Sequence, residues 1–278
     1  MNFMRKILII GMALVFGIHA NAQRKPKIKG NKEVVEVRES LPAFNAIQLD
    51  DDLEVVLQKS NSEGYSLEID NNLIDVLKFK VEDSTLFISS FYNITSKRKL
   101  DITVYYTELS SITMNNGEIS MKDVISGDRL DVLTRETSRL ELNATADIIN
   151  INMEGISSGD FNVASDSLVM NLKDRIDVKV YSTGASNNLF MYENASASLE
   201  GAAENLMVKL YGKSSLKGER LEAKQAIVIL EDSPDARVNV LEDFQLSSRG
   251  SSKTSLYGNP KITILDFLDT SQLDKENN

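Results

Sequence analysis

Ile149-Asn150-Ile151-Asn152-Met153 and Leu168-Val169-Met170-Asn171-Leu172, whose first residues stand 19 apart, carry the signal on which the fold turns. Both segments place an apolar side chain at every second position, and in an extended strand successive side chains point to opposite faces. Runs of this kind open at Leu130, Ile149, Leu168, Leu189, Val208, Val228 and Leu246, in steps of 19, 19, 21, 19, 20 and 18. A second series, Leu142, Phe161, Val180 and Leu199, keeps steps of 19, 19 and 19 and continues with slippage through Leu216, Val238 and Leu256. Two strand-like segments per period, with no helical segment between them, predict a coil of stacked rungs. One rung alone could not bury its apolar face. Winding the chain points that face inward and lets each strand hydrogen-bond to its equivalents about 4.8 Å above and below. Gly155, Ser157-Ser158-Gly159-Asp160, Ser182-Thr183-Gly184, Gly201, Gly212, Gly218 and Gly250 supply the turns. The fold class is therefore all-β: a β-solenoid, similar to a parallel β-helix, with rungs of about 19 residues.

Outside the repeat, residues 33–108 read as cap strands that cover the first rung. Val35 and Val37 alternate with charged residues, and Leu53-Glu54-Val55-Val56-Leu57 and Leu100 to Tyr105 continue the period of two. Asn71 to Leu77 is the one helical turn expected, with an Asn as its cap and Leu73, Ile74 and Leu77 on one face. Residues 23–32 read as a flexible leader, 109–265 as rungs, and 266–278 as an acidic tail expected to fray. Gly258-Asn259-Pro260 is expected to break the rung pattern, because proline cannot donate to a ladder.

Arg5 and Lys6, the apolar run Ile7 to Ile18, and Ala20-Asn21-Ala22 form a signal peptide over residues 1–22. Export through it to the periplasm, the cell surface or the medium is the expected localisation. About twelve apolar residues are too few for a membrane span, and no later stretch approaches that length. Loss of residues 1–22 removes two positive charges, taking the formal net charge from −10 to −12. That balance opposes nucleic-acid binding, which needs a basic stripe; Lys97-Arg98-Lys99 reads as a solvated turn. With no cysteine, the core must hold the fold without disulfides.

The single histidine, His19, lies in the signal segment. Serine triads, cysteine nucleophiles, histidine bases and zinc sites with soft ligands therefore each lack a required group. Carboxylates remain. Asp50-Asp51-Asp52 and Glu231-Asp232-Ser233-Pro234-Asp235 are the dense clusters, and both read as exposed turns whose spacing matches no calcium loop. Sugar sites use aromatic platforms, yet the chain has no Trp and 6% aromatic residues. Within Phe91-Tyr92 and Tyr105-Tyr106 one member of each pair should face outward, with Tyr92 and Tyr106 the candidates for a small patch. No catalytic, cofactor-binding or metal-binding residue is assigned, no cofactor is called for, and the ligand-binding residues and oligomeric state stay open.

Phe44-Asn45-Ala46-Ile47, Leu53-Glu54-Val55-Val56-Leu57-Gln58, Asn71-Asn72-Leu73-Ile74, Leu100-Asp101-Ile102-Thr103-Val104 and the ending Leu256-Tyr257-Gly258-Asn259-Pro260 follow an export signal in that order. This order resembles the putative auto-transporter adhesin head GIN domain family of bacterial exported proteins, over about residues 33–262. The resemblance implies one all-β, coil-like domain at 33–265 and an adhesin role, with no ligand or catalytic residue to carry over. A self-exporting protein needs a C-terminal membrane barrel, and the sequence ends in Asp274-Lys275-Glu276-Asn277-Asn278, so self-transport is not expected. Three functions remain open. The leading one is a non-enzymatic binding or adhesin-like module that offers polar solenoid faces to a glycan or to a cell-envelope or host protein. The others are a self-associating structural component of the envelope and a polysaccharide-active enzyme using two carboxylates roughly 5–9.5 Å apart.

Overall fold

A chain that alternates apolar and polar residues, slips by one position and then alternates again must bend where the slip occurs. In Ser158–Leu172 the buried positions are Phe161, Val163 and Ser165, then Leu168, Met170 and Leu172, so the slip falls at Asp166-Ser167. Inward pointing can be kept on both sides of that slip only if the strand turns a corner there. The computed structural model describes residues 25–276, and the signal-peptide reading lies outside them. It is a β-solenoid of about 9 turns with rungs of about 19 residues.

The strands in chain order are β1 (Lys27–Lys29), β2 (Val34–Ser40), β3 (Ala46–Leu49), β4 (Glu54–Lys59), β5 (Gly64–Asp70), then after a short 3-10 helix (Asn71–Val76) β6 (Leu77–Glu82), β7 (Thr85–Ser90), β8 (Asn93–Ser96) and β9 (Leu100–Tyr106). The rungs follow as β10 (Ser111–Met121), β11 (Ile125–Met153), β12 (Ser158–Leu172), β13 (Asp177–Met191), β14 (Ser196–Gly212), β15 (Ser215–Asp232), β16 (Asp235–Ser248), β17 (Lys253–Tyr257), β18 (Lys261–Phe267) and β19 (Gln272–Lys275). Every pairing from β10 to β19 is parallel.

The register corrects the columns that the sequence suggests. Leu142, Phe161, Val180 and Leu199 do share one column. Leu216, however, pairs with Ala197 and so continues the neighbouring inward column, while opposite Leu199 one extra residue between Lys217 and Arg220 makes a bulge. In the other half-rung Leu168 pairs with Asn187, and Leu189 pairs with Met170. The irregular step of 21 is thus a jump between neighbouring inward columns. It arises because Asn187, buried at 3% exposure, takes the place where a leucine is expected; Ser182 Oγ donates to its Oδ1 at 3.1 Å.

One corner of each rung adopts the left-handed backbone conformation. Glu136, Gly155, Asp174, Glu193, Gly212, Asp232, Gly250 and Asp269 all have φ between 49° and 83°, in a column 18 to 20 residues apart. The following N–H donates to the corner carbonyl one rung earlier, as in Arg175 to Gly155 at 2.9 Å and Lys213 to Glu193 at 2.7 Å. Aspartate also serves here through its side chain. Asp174, Asp232 and Asp269 accept from the N–H of Gly155, Gly212 and Gly250 at 3.1, 3.3 and 3.0 Å. The acidic turn at Glu231 to Asp235 is therefore a structural corner.

The cap is partly solenoid. β3 and β4 pair in parallel with β10, and β7 and β9 pair in parallel with β3 and β4. Beyond them the direction reverses: β5 runs antiparallel to β9, β6 to β7 and β2 to β5, which ends the stack. The 3-10 helix buries Leu73 and Val76 against this end and has no side-chain cap, contrary to the expected Asn cap. The leader does not run free from Lys27 onward, because β1 pairs with β8 and Ile28 packs against the core. Asp70, fully buried, clasps these pieces by accepting from the backbone N–H of Lys32, Arg98 and Lys99 at 3.2, 3.0 and 3.2 Å. A Cβ on Gly30 would collide with this carboxylate. Lys97-Arg98-Lys99 is thus tied by its backbone into the clasp.

The tail departs from expectation as well. β18 continues the stack on β16, and β19 pairs with β17, so the segment from Asp266 to Lys275 extends the coil; Gly258-Asn259-Pro260 forms the turn between β17 and β18. The acidic residues there fit because Asp266 accepts from Ser247 Oγ at 3.0 Å and Asp269 fills the next left-handed corner.

Two outcomes are expected. Asp174→Gly leaves thermal stability unchanged or higher, whereas Asp174→Val lowers it by about 1–2 kcal/mol, since a branched side chain tolerates the left-handed corner poorly; thermal denaturation measures both. The Arg98 N–H bond, joined by those from Lys32 and Lys99, outweighs burial and lowers the Asp70 pKa from its ordinary 3.8. A lowered value means that Asp70 stabilises the fold above pH 3.8 and loses that contribution as pH falls below it. Denaturant titrations at stepped pH should show this acid sensitivity in the native chain and a flatter profile in Asp70→Asn.

Candidate functional site

At one corner each rung contributes a small or hydroxyl residue, a small residue and then the outermost position. The triplets are Ser126-Gly127-Asp128, Thr145-Ala146-Asp147, Ala164-Ser165-Asp166 and Thr183-Gly184-Ala185. Small residues leave the wall concave, and eleven of these twelve residues, all but Ala185, line a shallow groove of about 750 Å³. Asp128, Asp147 and Asp166 are exposed and stand one above another. Strand spacing sets them roughly 4.8 Å apart.

The charge pattern distinguishes this column. Elsewhere neighbouring rungs neutralise each other, as in Glu200 with Arg220 at 2.7 Å and Glu204 with Lys224 at 2.7 Å. Among the described residues, neither an ion pair nor a side-chain hydrogen bond engages Asp128, Asp147 or Asp166. Three like charges in file repel, and a partner carrying cationic or hydrogen-donating groups at matching intervals would relieve that repulsion. The rung interval is of the same order as the carboxyl separation used in retaining glycoside hydrolysis, roughly 5 Å. Yet the groove is open to solvent, and nothing encloses a scissile bond or isolates one carboxyl group from water.

A second outward face carries two columns. Asn150, Val169, Asn188, Met207, Ile227 and Gln245 form one. In the other, Asn171 Nδ2 donates to Asn152 Oδ1 at 2.9 Å, and Lys209 sits over Phe190 at 5.7 Å on the next rungs. Tyr192 and Tyr211 stack at 5.1 Å with 4° between their planes, and Tyr181 stands alone with half its surface in water. None of these aromatics forms a sequence doublet, so a search for adjacent aromatics misses them. Their period would have found the Tyr192 and Tyr211 pair, just as it would have found the aspartate column.

The residues that the sequence suggests take other roles. Asp50 accepts from Gln48 Nε2 and Asn115 Nδ2, both at 2.7 Å. Asp51 accepts from the Ser90 N–H at 2.8 Å and pairs with Lys25. Only Asp52 of that cluster is exposed, and the three have different partners. Among the described residues no group of three or more acidic side chains is arranged to hold a metal ion. Tyr106 does not join Tyr92 in an outward patch. It is buried, and burial followed by the nearby Asp123 charge pushes its pKa up to about 12. Its neighbour Tyr105 faces outward instead, bonded to Ser66 at 3.0 Å with Arg38 over its ring. Phe91 and Tyr92 are both exposed.

Parallel rungs of constant period, a reversed-strand cap and open polar faces define a capped β-solenoid. The sequence family described as "Putative auto-transporter adhesin, head GIN domain" matches residues 43–260, and the chain belongs to this family. Similar solved structures include a "putative adhesin" from Parabacteroides merdae, at 13% identity and a TM-score of 0.66, covering 90% of this chain and 99% of that one. Another "putative adhesin", from Parabacteroides distasonis, is 14% identical with a TM-score of 0.67, covering 89% and 99%. A "putative lipid binding protein" from the same species is 16% identical with a TM-score of 0.59, covering 90% and 99%. No curated protein matches the chain. Among the described residues no helix is long and apolar enough to cross a membrane.

If the aspartate column is electrostatically frustrated, Asp147→Asn should stabilise the fold by roughly 0.2–1 kcal/mol at low salt. The gain should fade as salt screens the repulsion. Melting curves at two ionic strengths measure it, and a loss of stability would contradict the reading.

Proposed function

We propose that this protein is an exported, non-enzymatic, adhesin-like module that offers the polar faces of its solenoid to a glycan or protein partner. The observation that carries the proposal is the file of three unpartnered aspartates along an open groove floored by small residues. Its roughly 4.8 Å interval suits an extended partner whose donor groups recur at similar steps, and weak contacts repeated along such a partner add up to useful avidity. Openness favours holding over catalysis. General acid chemistry needs a carboxyl group shielded from water, and these three stand in it.

The experiment is a screen of host and bacterial glycans together with capture of partners from the cell envelope, using the native chain and an Asp128→Asn, Asp147→Asn, Asp166→Asn variant. Binding by the native chain that weakens at least roughly tenfold in the variant supports the proposal. Silence in both screens overturns it. Release of sugar from a bound polysaccharide would replace it with the hydrolase reading.

A further inference from the structure

The two ends of the coil are finished differently. At the N-terminal end, reversed strands and the 3-10 helix close the core. At the C-terminal end, among the described residues β18 has one strand partner, β16, and its other edge is open. Ile262 and Ile264 pair with the fully buried Phe244 and Leu246, so they continue the inward columns, yet both are 44% exposed. Leu265, Phe267 and Leu268 are exposed beside them. Five large apolar side chains within seven residues, four of them on a strand whose outer edge is open, are the combination that natural sheets otherwise cover.

We propose that this end docks onto the same end of a second copy, with the two β18 strands pairing antiparallel across a two-fold axis. The chemistry of β18 is self-complementary in that arrangement. With Thr263 opposite itself, Ile262 of each copy lies opposite Ile264 of the other on the core face, so the two cores join. The register shift between Ile264 and Asp266 turns Asp266 to the outer face, where it accepts from Ser247 Oγ and lies 3.7 Å from the Arg249 guanidinium. Lys261 of each copy then stands beside Asp266 of the other, and opposite charges meet at both ends of the joint. Because the N-terminal end is closed, association stops at two copies instead of growing into a filament.

Sedimentation equilibrium of the purified chain at rising concentration tests this. The native chain should reach the mass of two chains, and Ile264→Lys should stay at one with an unchanged circular dichroism spectrum. Should that variant fail to fold, outward charges decide. Lys261→Glu should weaken self-association at least roughly tenfold, and Lys261→Glu combined with Asp266→Lys should restore it. A one-chain mass at every concentration, filaments in place of dimers, or a dimer indifferent to these substitutions would overturn the proposal.

Discussion

The structure depends on the hydrogen bond between one corner and the next. At each rung the residue after the left-handed position donates its N–H to the corner carbonyl one rung earlier, in a column that runs from Glu136 to Asp269. This bond fixes the offset between neighbouring rungs, and the offset keeps Leu142, Phe161, Val180 and Leu199 in one file. A slip of one residue would turn each inward side chain to water. Where the sequence carries extra residues, as between Lys217 and Arg220, the strand bulges locally and the next corner returns to its place.

Much of this architecture was legible because a period of 19 survives in the apolar residues themselves. The errors have physical causes. Asn187 occupies an inward column and displaced the apparent repeat onto Leu189, since a polar residue at a core position is invisible to a hydrophobic search. Tyr105 and Tyr106 differ only in strand parity, which depends on pairing with β4 and β5. The leader and tail read as loose because short polar segments lack a core of their own. Both are ordered by bonds to distant residues, Asp70 at one end and the rungs of β16 and β17 at the other.

The candidate groove was legible in principle and missed in practice. Asp128, Asp147 and Asp166 are remote in sequence and become neighbours only once the period is applied to polar residues as well as apolar ones. In the cluster that looked densest in the sequence, Asp50 is held by amide donors and Asp51 by a backbone N–H and Lys25, and only Asp52 stands exposed. In a stacked coil, residues that act together are spaced by the rung, and sequence adjacency mostly marks turns.

Because the corner column and the inward files carry the coil, outward positions are less constrained by the scaffold. Residues as unlike as Asn152, Asn171, Phe190, Lys209 and Ile229 fall in successive rungs of one outer file without disturbing the register. Such a scaffold can diverge almost without limit at its surface. A solved structure at 13% identity and a TM-score of 0.66 fits that freedom: the fold is shared where few residues are.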